Sequence, residues 1–176
     1  MTRKYEITHI RHSFRPELSR IRALRDISRF NIKAGDLGGY IEHEGNLSQE
    51  NDCWVGDNSL VYGNASVFGN AQICNDANIC GNAAVFAQAR ILKEAFIWGD
   101  VQVFGNAQVT GYSRVCGNTV VNESMIISDV CYINSSSQIY YSDGVTVVFD
   151  VYSNLIVNGE SPDIEHHETL ARLKLL

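Results

Sequence analysis

Residues 61–109 read VYGNASVFGNAQICNDANICGNAAVFAQARILKEAFIWGDVQVFGNAQV, with a valine or isoleucine at every sixth place. The same beat runs outward in both directions. It starts at Val55 and continues through Val115, Val121, Ile127, Ile133, Ile139, Val145 and Val151 to Val157, eighteen positions without an exception. An α-helix repeats every 3.6 residues and a strand every 2, so neither needs a β-branched residue at a strict spacing of six. A coil that repeats in space does need it.

A second column supports the coil. Two places before each aliphatic residue stands a small one: Ser59, Ala65, Ala71, Ala77, Ala83, Ala89, Ala95, Val101, Ala107, Ser113, Thr119. Wide β-branched residues on the flats and small ones at the corners fill a narrow interior without voids. The pairs Gly63-Asn64, Gly69-Asn70, Gly81-Asn82, Gly105-Asn106 and Gly117-Asn118, with Gly99-Asp100 as a variant, read as the corners. Glycine and asparagine accept positive φ at little cost.

Aliphatic-x-x-x-small-x in tandem resembles the hexapeptide-repeat proteins. That resemblance implies an all-β chain wound as a left-handed parallel β-helix, three hexads to a coil. About six coils follow for residues 54–159. Residues 1–53 lack the hexad and are expected to form an N-terminal β cap from the strands KYEITHI and RIRALRDI and a Gly-rich turn. In residues 160–176, Ser161-Pro162-Asp163 reads as the start of a short C-terminal helix that ends near Arg172 and Lys174. Met125, Phe149 and Leu155 replace small residues late in the chain, Asp143 stands in a corner column, and the register is expected to hold to about Ile139.

The front of the chain carries a finer likeness. Lys33-Ala34-Gly35, Gly38-Gly39-Tyr40-Ile41, Asn46-Leu47-Ser48-Gln49 and Asp52-Cys53-Trp54-Val55 resemble the entry segment of the YdcK-like hexapeptide proteins of bacteria and phages, which carry a transferase label on fold alone. The glycines are expected to make tight turns, with Leu47 and Trp54 as lids over the first coil.

Bulk properties narrow the function. The chain has 176 residues and a net charge of −6, and its Arg-rich patch from Arg11 to Arg29 is answered by Glu17 and Asp26. Nucleic acid is therefore an unexpected ligand. The opening MTRKYEITHI is basic without an apolar segment and no stretch is long enough for a membrane helix, so a cytoplasmic protein with no membrane partner is expected. The five cysteines include no CxxC, and Cys80 and Cys116 would stand two coils apart, roughly 9–10 Å. That is too far for a disulfide. No metal site and no cofactor are expected.

Acyltransferases of the superfamily use a coil histidine as base, and its carbonic anhydrase branch holds a metal on coil histidines. His9, His12, His43, His166 and His167 all lie outside the span Asp52 to Gly159. No catalytic residue is assigned on that basis. The outward columns carry the stronger signal. One reads Phe68, Phe86, Phe104, Asn122, Tyr140; another reads Tyr62, Cys80, Trp98, Cys116, Asn134, Tyr152, flanked by Phe96, Arg114 and Tyr132. A line of phenylalanines in water calls for a cover, which another copy of the chain, the chain's own N-terminal segment or C-terminal helix folded back, or a foreign protein would supply. The expectation is a non-catalytic, self-associating binding or scaffold protein, a homotrimer by superfamily habit or else a dimer. The Tyr62/Trp98/Tyr152 face, or a groove between subunits, would take a protein partner or a small anionic ligand near Arg90 and Arg114. The alternatives are an acyltransferase-like enzyme and a phage or mobile-element protein that inhibits or sequesters a host component.

Overall fold

The computed structural model describes residues 3–128 and 132–134 in full, together with backbone strands at 138–142, 145–149 and 155–157. Its main body is a parallel β-solenoid of about five turns. Each hexad contributes a two-residue strand, and each strand pairs in parallel with the strand eighteen residues further on. On the first face Val55, Ile73, Ile91, Val109 and Ile127 stand in one column. On the second, Val61, Ile79, Ile97, Val115 and Ile133 do so. The third carries Val67, Val85, Val103 and Val121. These aliphatic side chains and the small column from Ser59 to Thr119 are buried. The inside of the tube is thus β-branched residues on the flats and alanine between them, the filling that the spacing predicts.

From Val55 to Val121 each corner uses the left-handed region at one fixed place, two residues after the aliphatic. Asp57, Gly63, Gly69, Asn75, Gly81, Ala87, Lys93, Gly99, Gly105, Gly111, Gly117 and Glu123 all have positive φ, between 51° and 87°. Glycine fills seven of the twelve. The other five include Ala87, Lys93 and Glu123, so the Gly-Asn pairs mark only some of the corners and the stacking enforces the rest. Backbone hydrogen bonds between coils run through these positions, as in Asn70 N–H to Ala87 O and Gln88 N–H to Gly105 O.

The solenoid begins earlier than Val55. Strands β1 (Tyr5–Arg11), β2 (Ser19–Ala23) and β3 (Leu37–Ile41) pair antiparallel in that order. β3 then pairs in parallel with the second face, Ile41 opposite Val61, and Leu47 bridges Val67. Both partners are twenty residues apart instead of eighteen. Ile41 and Leu47 are themselves six apart, and eight residues separate Leu47 from Val55. A two-residue insertion after Leu47 therefore hides a first coil whose aliphatic residues Ile41 and Leu47 keep the beat, although its corner is the 3-10 turn Glu44–Asn46. Leu47 is a rung of this coil and not a lid.

Gly38 and Gly39 differ from the sequence expectation too. They lie within β3 and are buried. A Cβ on Gly38 would sit 2.5 Å from Val55 O and 2.7 Å from Trp54 Cζ2, and one on Gly39 would sit 2.6 Å from Ser59 O. Their role is close approach of backbone to backbone, whereas Gly35, at φ 97°, makes the turn. The crossing leaves the Trp54 ring 2% exposed under the cap.

The other end also departs from the repeat. Parallel pairing stops at Tyr132–Ile133, and the segments Gln138–Ser142, Val145–Phe149 and Leu155–Val157 form a separate antiparallel sheet. The coil count is about five and not six. Two five-residue strands replace two-residue ones there, because Val145-Thr146-Val147-Val148-Phe149 offers β-formers at consecutive positions with no corner residue to interrupt them. The segment 160–176, where the C-terminal helix is expected, lies outside the described residues.

Candidate functional site

The phenylalanine column forms on the third face. Phe68 and Phe86 stack with ring centroids 4.8 Å apart and planes 3° from parallel, and Phe86 and Phe104 with 4.9 Å and 12°. That separation is the spacing between neighbouring strands, so the ladder follows directly from the eighteen-residue coil. Each ring covers its neighbour's face and leaves an edge to solvent. Phe86 and Phe104 are half-buried while Phe68, at the end of the stack, is 40% exposed. At the other end of the ladder, in the next strand of this face after Phe104, Val120 is 46% exposed. Tyr140 belongs to the antiparallel sheet, opposite Val147, and not to this face.

On the second face the chain partly covers its own aromatics. The turn after β1 brings Arg15 over the Tyr62 ring, 4.5 Å from its centroid, and Arg20 over Tyr40 at 5.0 Å. Burial, reinforced by Cys80, pushes the Tyr62 hydroxyl up to about 12. Further along, Phe96 and Trp98 lie 4.7 Å apart, Arg114 reaches over Phe96 at 5.9 Å, and Tyr132 stands 6.2 Å from Trp98. Tyr132 is 49% exposed and its hydroxyl is 3.5 Å from Cys116 Sγ. Tyr152 lies outside the described residues.

Arg90 and Arg114 stand on different faces, Arg90 in the row of Gln72 and Gln108 and Arg114 in the row of Phe96 and Tyr132. Within one chain the two arginines therefore do not share a face. Arg90 instead meets the cap. The short 3-10 turn Ser28–Phe30 hangs over the first face and, with Asn31, Gln72 and Arg90, encloses an open cavity of about 510 Å³. Arg29 reaches across to Gln88 there. Sequence reading missed Arg15 and Arg29 because both come from loops, where no periodicity says what they will touch.

The described histidines have other work. His43 caps the turn Glu44–Asn46: its Nδ1 accepts from Gly45 N–H at 3.1 Å and its Nε2 lies 3.0 Å from Gly63 O. With Nδ1 accepting, Nε2 carries the proton and donates to that carbonyl. Neither nitrogen is left to take a proton from a substrate. His12 packs edge-on against Tyr40 at 5.0 Å, and His9 is exposed. His166 and His167 lie outside the described residues. Cys53, Cys74, Cys80 and Cys116 are free thiols. Among the described residues no group of three or more His, Cys, Asp or Glu is placed to hold a metal ion, and no helix is long and apolar enough to cross a membrane.

No family model matches the chain, and no curated protein matches it.

Proposed function

We propose that this chain is a non-catalytic, self-associating β-solenoid that serves as a binding or scaffold module, wound left-handed like the hexapeptide proteins it resembles. The observation that carries the reading is the edge-on ladder Phe68, Phe86, Phe104 on the third face, with Phe68 40% exposed. Such a ladder is rigid. Its ring faces are already satisfied, so its edges gain chiefly from a flat apolar neighbour, and a second copy of the same face supplies one. Ser66 and Ala84 beside it are small enough to let that copy approach. A closed trimer or an isologous dimer both satisfy this requirement, and the trimer is the habit of the proteins the repeat resembles. The second face, with Trp98, Arg114 and Tyr132, has the residue types that dominate binding energy at protein interfaces, and it is the proposed surface for a foreign partner. Free thiols at four cysteines suit a reducing cytoplasm.

Light scattering on the purified chain tests the reading. Wild type should report a multiple of the chain mass, and Phe86→Asp, with a charge set between two rings, should report a single chain. A wild-type monomer, or a variant that assembles as before, rejects it. The transferase alternative has less support because both nitrogens of His43, which reaches the coil at Gly63 O, are engaged.

A further inference from the structure

We infer that the cavity between the cap turn and the first face is a binding site for a small organic phosphate, held between Arg29 and Arg90. The two guanidiniums differ from the other arginines in their surroundings. Arg3, Arg22 and Arg25 face the carboxylates of Glu44, Glu6 and Asp52, Arg15, Arg20 and Arg114 lie over aromatic rings, and Arg11 donates to the Glu17 carbonyl. Arg29 and Arg90 are each oriented by a neutral amide. Arg29 Nη2 donates to Gln88 Oε1 at 2.7 Å, and Arg90 Nε donates to Gln72 Oε1 at 3.2 Å. Each spends one N–H on its glutamine and keeps the rest of its fork. Among the described residues neither arginine is ion-paired with a carboxylate: Asp26 pairs with Lys33 and accepts from Ala34 N–H, and Asp57 accepts from Asn75 N–H at 2.7 Å.

Two cations lining one cavity, neither of them ion-paired among the described residues, favour a ligand with two negative charges. A phosphate monoester supplies them near neutral pH and has enough acceptor oxygens to take both forks at once, where a monocarboxylate saturates one. The cavity, about 510 Å³, is within the ~300–1,000 Å³ range of small-molecule sites and leaves room for more than the phosphate group. Half-buried Phe30 forms its apolar wall, against which an aromatic or aliphatic substituent would pack. Ser28 and Asn31 add polar groups at the rim. The site uses none of the residues of the phenylalanine ladder.

Titration calorimetry on the full chain with phenyl phosphate tests this. Saturable binding at one site per chain is expected, weaker for inorganic phosphate, which lacks the ring, and weaker for benzoate, which lacks the second charge. Arg29→Gln and Arg90→Gln, both at exposed positions, should each weaken phenyl phosphate binding by about tenfold or more, while Arg114→Gln on the other face leaves it unchanged. Absence of saturable binding overturns the assignment. So does equal weakening by Arg114→Gln, which would mean diffuse attraction to a cationic surface, or benzoate binding as tightly as phenyl phosphate.

Discussion

Lys4 and Cys53 meet inside the protein, with Nζ 3.0 Å from Sγ and both residues fully buried. The ammonium also donates to Glu50 O at 3.2 Å, and the sulfur is ringed by the carbonyls of Ser48, Glu50 and Val67 at 3.6–3.7 Å. Gln49 completes the junction, its Oε1 accepting from Lys4 N–H at 2.8 Å and its Nε2 donating to Tyr5 O. All of the acceptors but Val67 O and Tyr5 O lie in the segment where the coil carries two extra residues. The insertion is thus the socket that pins the root of β1 to the first coil.

Burial pulls the Lys4 amine below its ordinary 10.5 and pushes the Cys53 thiol above 9.0. Between the lowered value and 10.5 the unfolded chain holds the proton that the folded chain has released, so Lys4 makes stability rise with pH in that window. Cys53 acts the opposite way above 9.0, where the unfolded chain loses a proton that the folded chain keeps. A Cys53→Ala background removes the second effect. Urea unfolding of that variant and of Lys4→Met/Cys53→Ala, from neutral pH to about 10, should give a stability difference that moves in favour of the lysine form as pH rises. A flat difference would mean that the amine is solvated in the folded state.

Gly39→Ala should cost more than about 2 kcal/mol, since the new methyl would meet Ser59 O, Val55 Cγ1 and Gly56 O at 2.6–2.9 Å and two of those atoms are backbone. Gly63→Ala is the control. There the nearest atom would be 3.5 Å away and only the φ of 63° is costly, about 1–2 kcal/mol. Denaturant midpoints of the two variants should fall in that order. A Gly39→Ala protein as stable as Gly63→Ala would show that β3 can lift off Trp54 cheaply.

Where strict spacing existed, the architecture was legible: Val55 to Ile133 sit where a six-residue beat puts them, and the Phe68–Phe86–Phe104 stack follows from adding eighteen. The first coil was hidden by the two residues inserted after Leu47. The last hexads misled for the converse reason. Ile139, Val145 and Val157 keep the beat, but they sit in runs of β-formers whose local preference is a longer strand, and antiparallel pairing wins. The Arg29/Arg90 cavity was illegible beyond Arg90 itself, because half of it comes from a cap loop whose docking depends on Gly38, Gly39 and Trp54 fitting together.

Ala87→Gly should stabilise the protein. Ala87 holds φ 57° at a corner where most of its counterparts are glycine. Relieving a left-handed alanine returns about 1–2 kcal/mol, and the extra freedom of glycine in the unfolded chain takes back about 0.4–1 kcal/mol. The net gain is on the order of 0.5–1 kcal/mol, readable as a higher melting temperature. Ala89→Gly, two residues on, should do the opposite, because Ala89 fills the interior column and is fully buried. If both substitutions destabilise, the corner geometry at residue 87 is not left-handed in solution.

Deletion of residues 102–119 should leave a folded, shorter solenoid. These eighteen residues make one coil, and their removal joins Val101 to Val120, a residue that already stands directly opposite Gln102. Val121 would then face Val85, Ile127 would face Ile91 and Ile133 would face Ile97, each pair aliphatic and inward as before. Stability falls because one layer of inward side chains is lost, but stacking between neighbouring coils survives, as it does in linear repeat proteins. Deleting only residues 102–110 shifts the beat by half a hexad. The aliphatic column then meets corners, left-handed positions fall on valine and isoleucine, and the coils after Val101 cannot dock. Far-UV circular dichroism with thermal melting separates the two: a cooperative transition for the full-coil deletion, and a broad or absent one for the half-coil deletion. Equal behaviour would mean that the coils are not held by register, and the stacking account of this fold would fall with it.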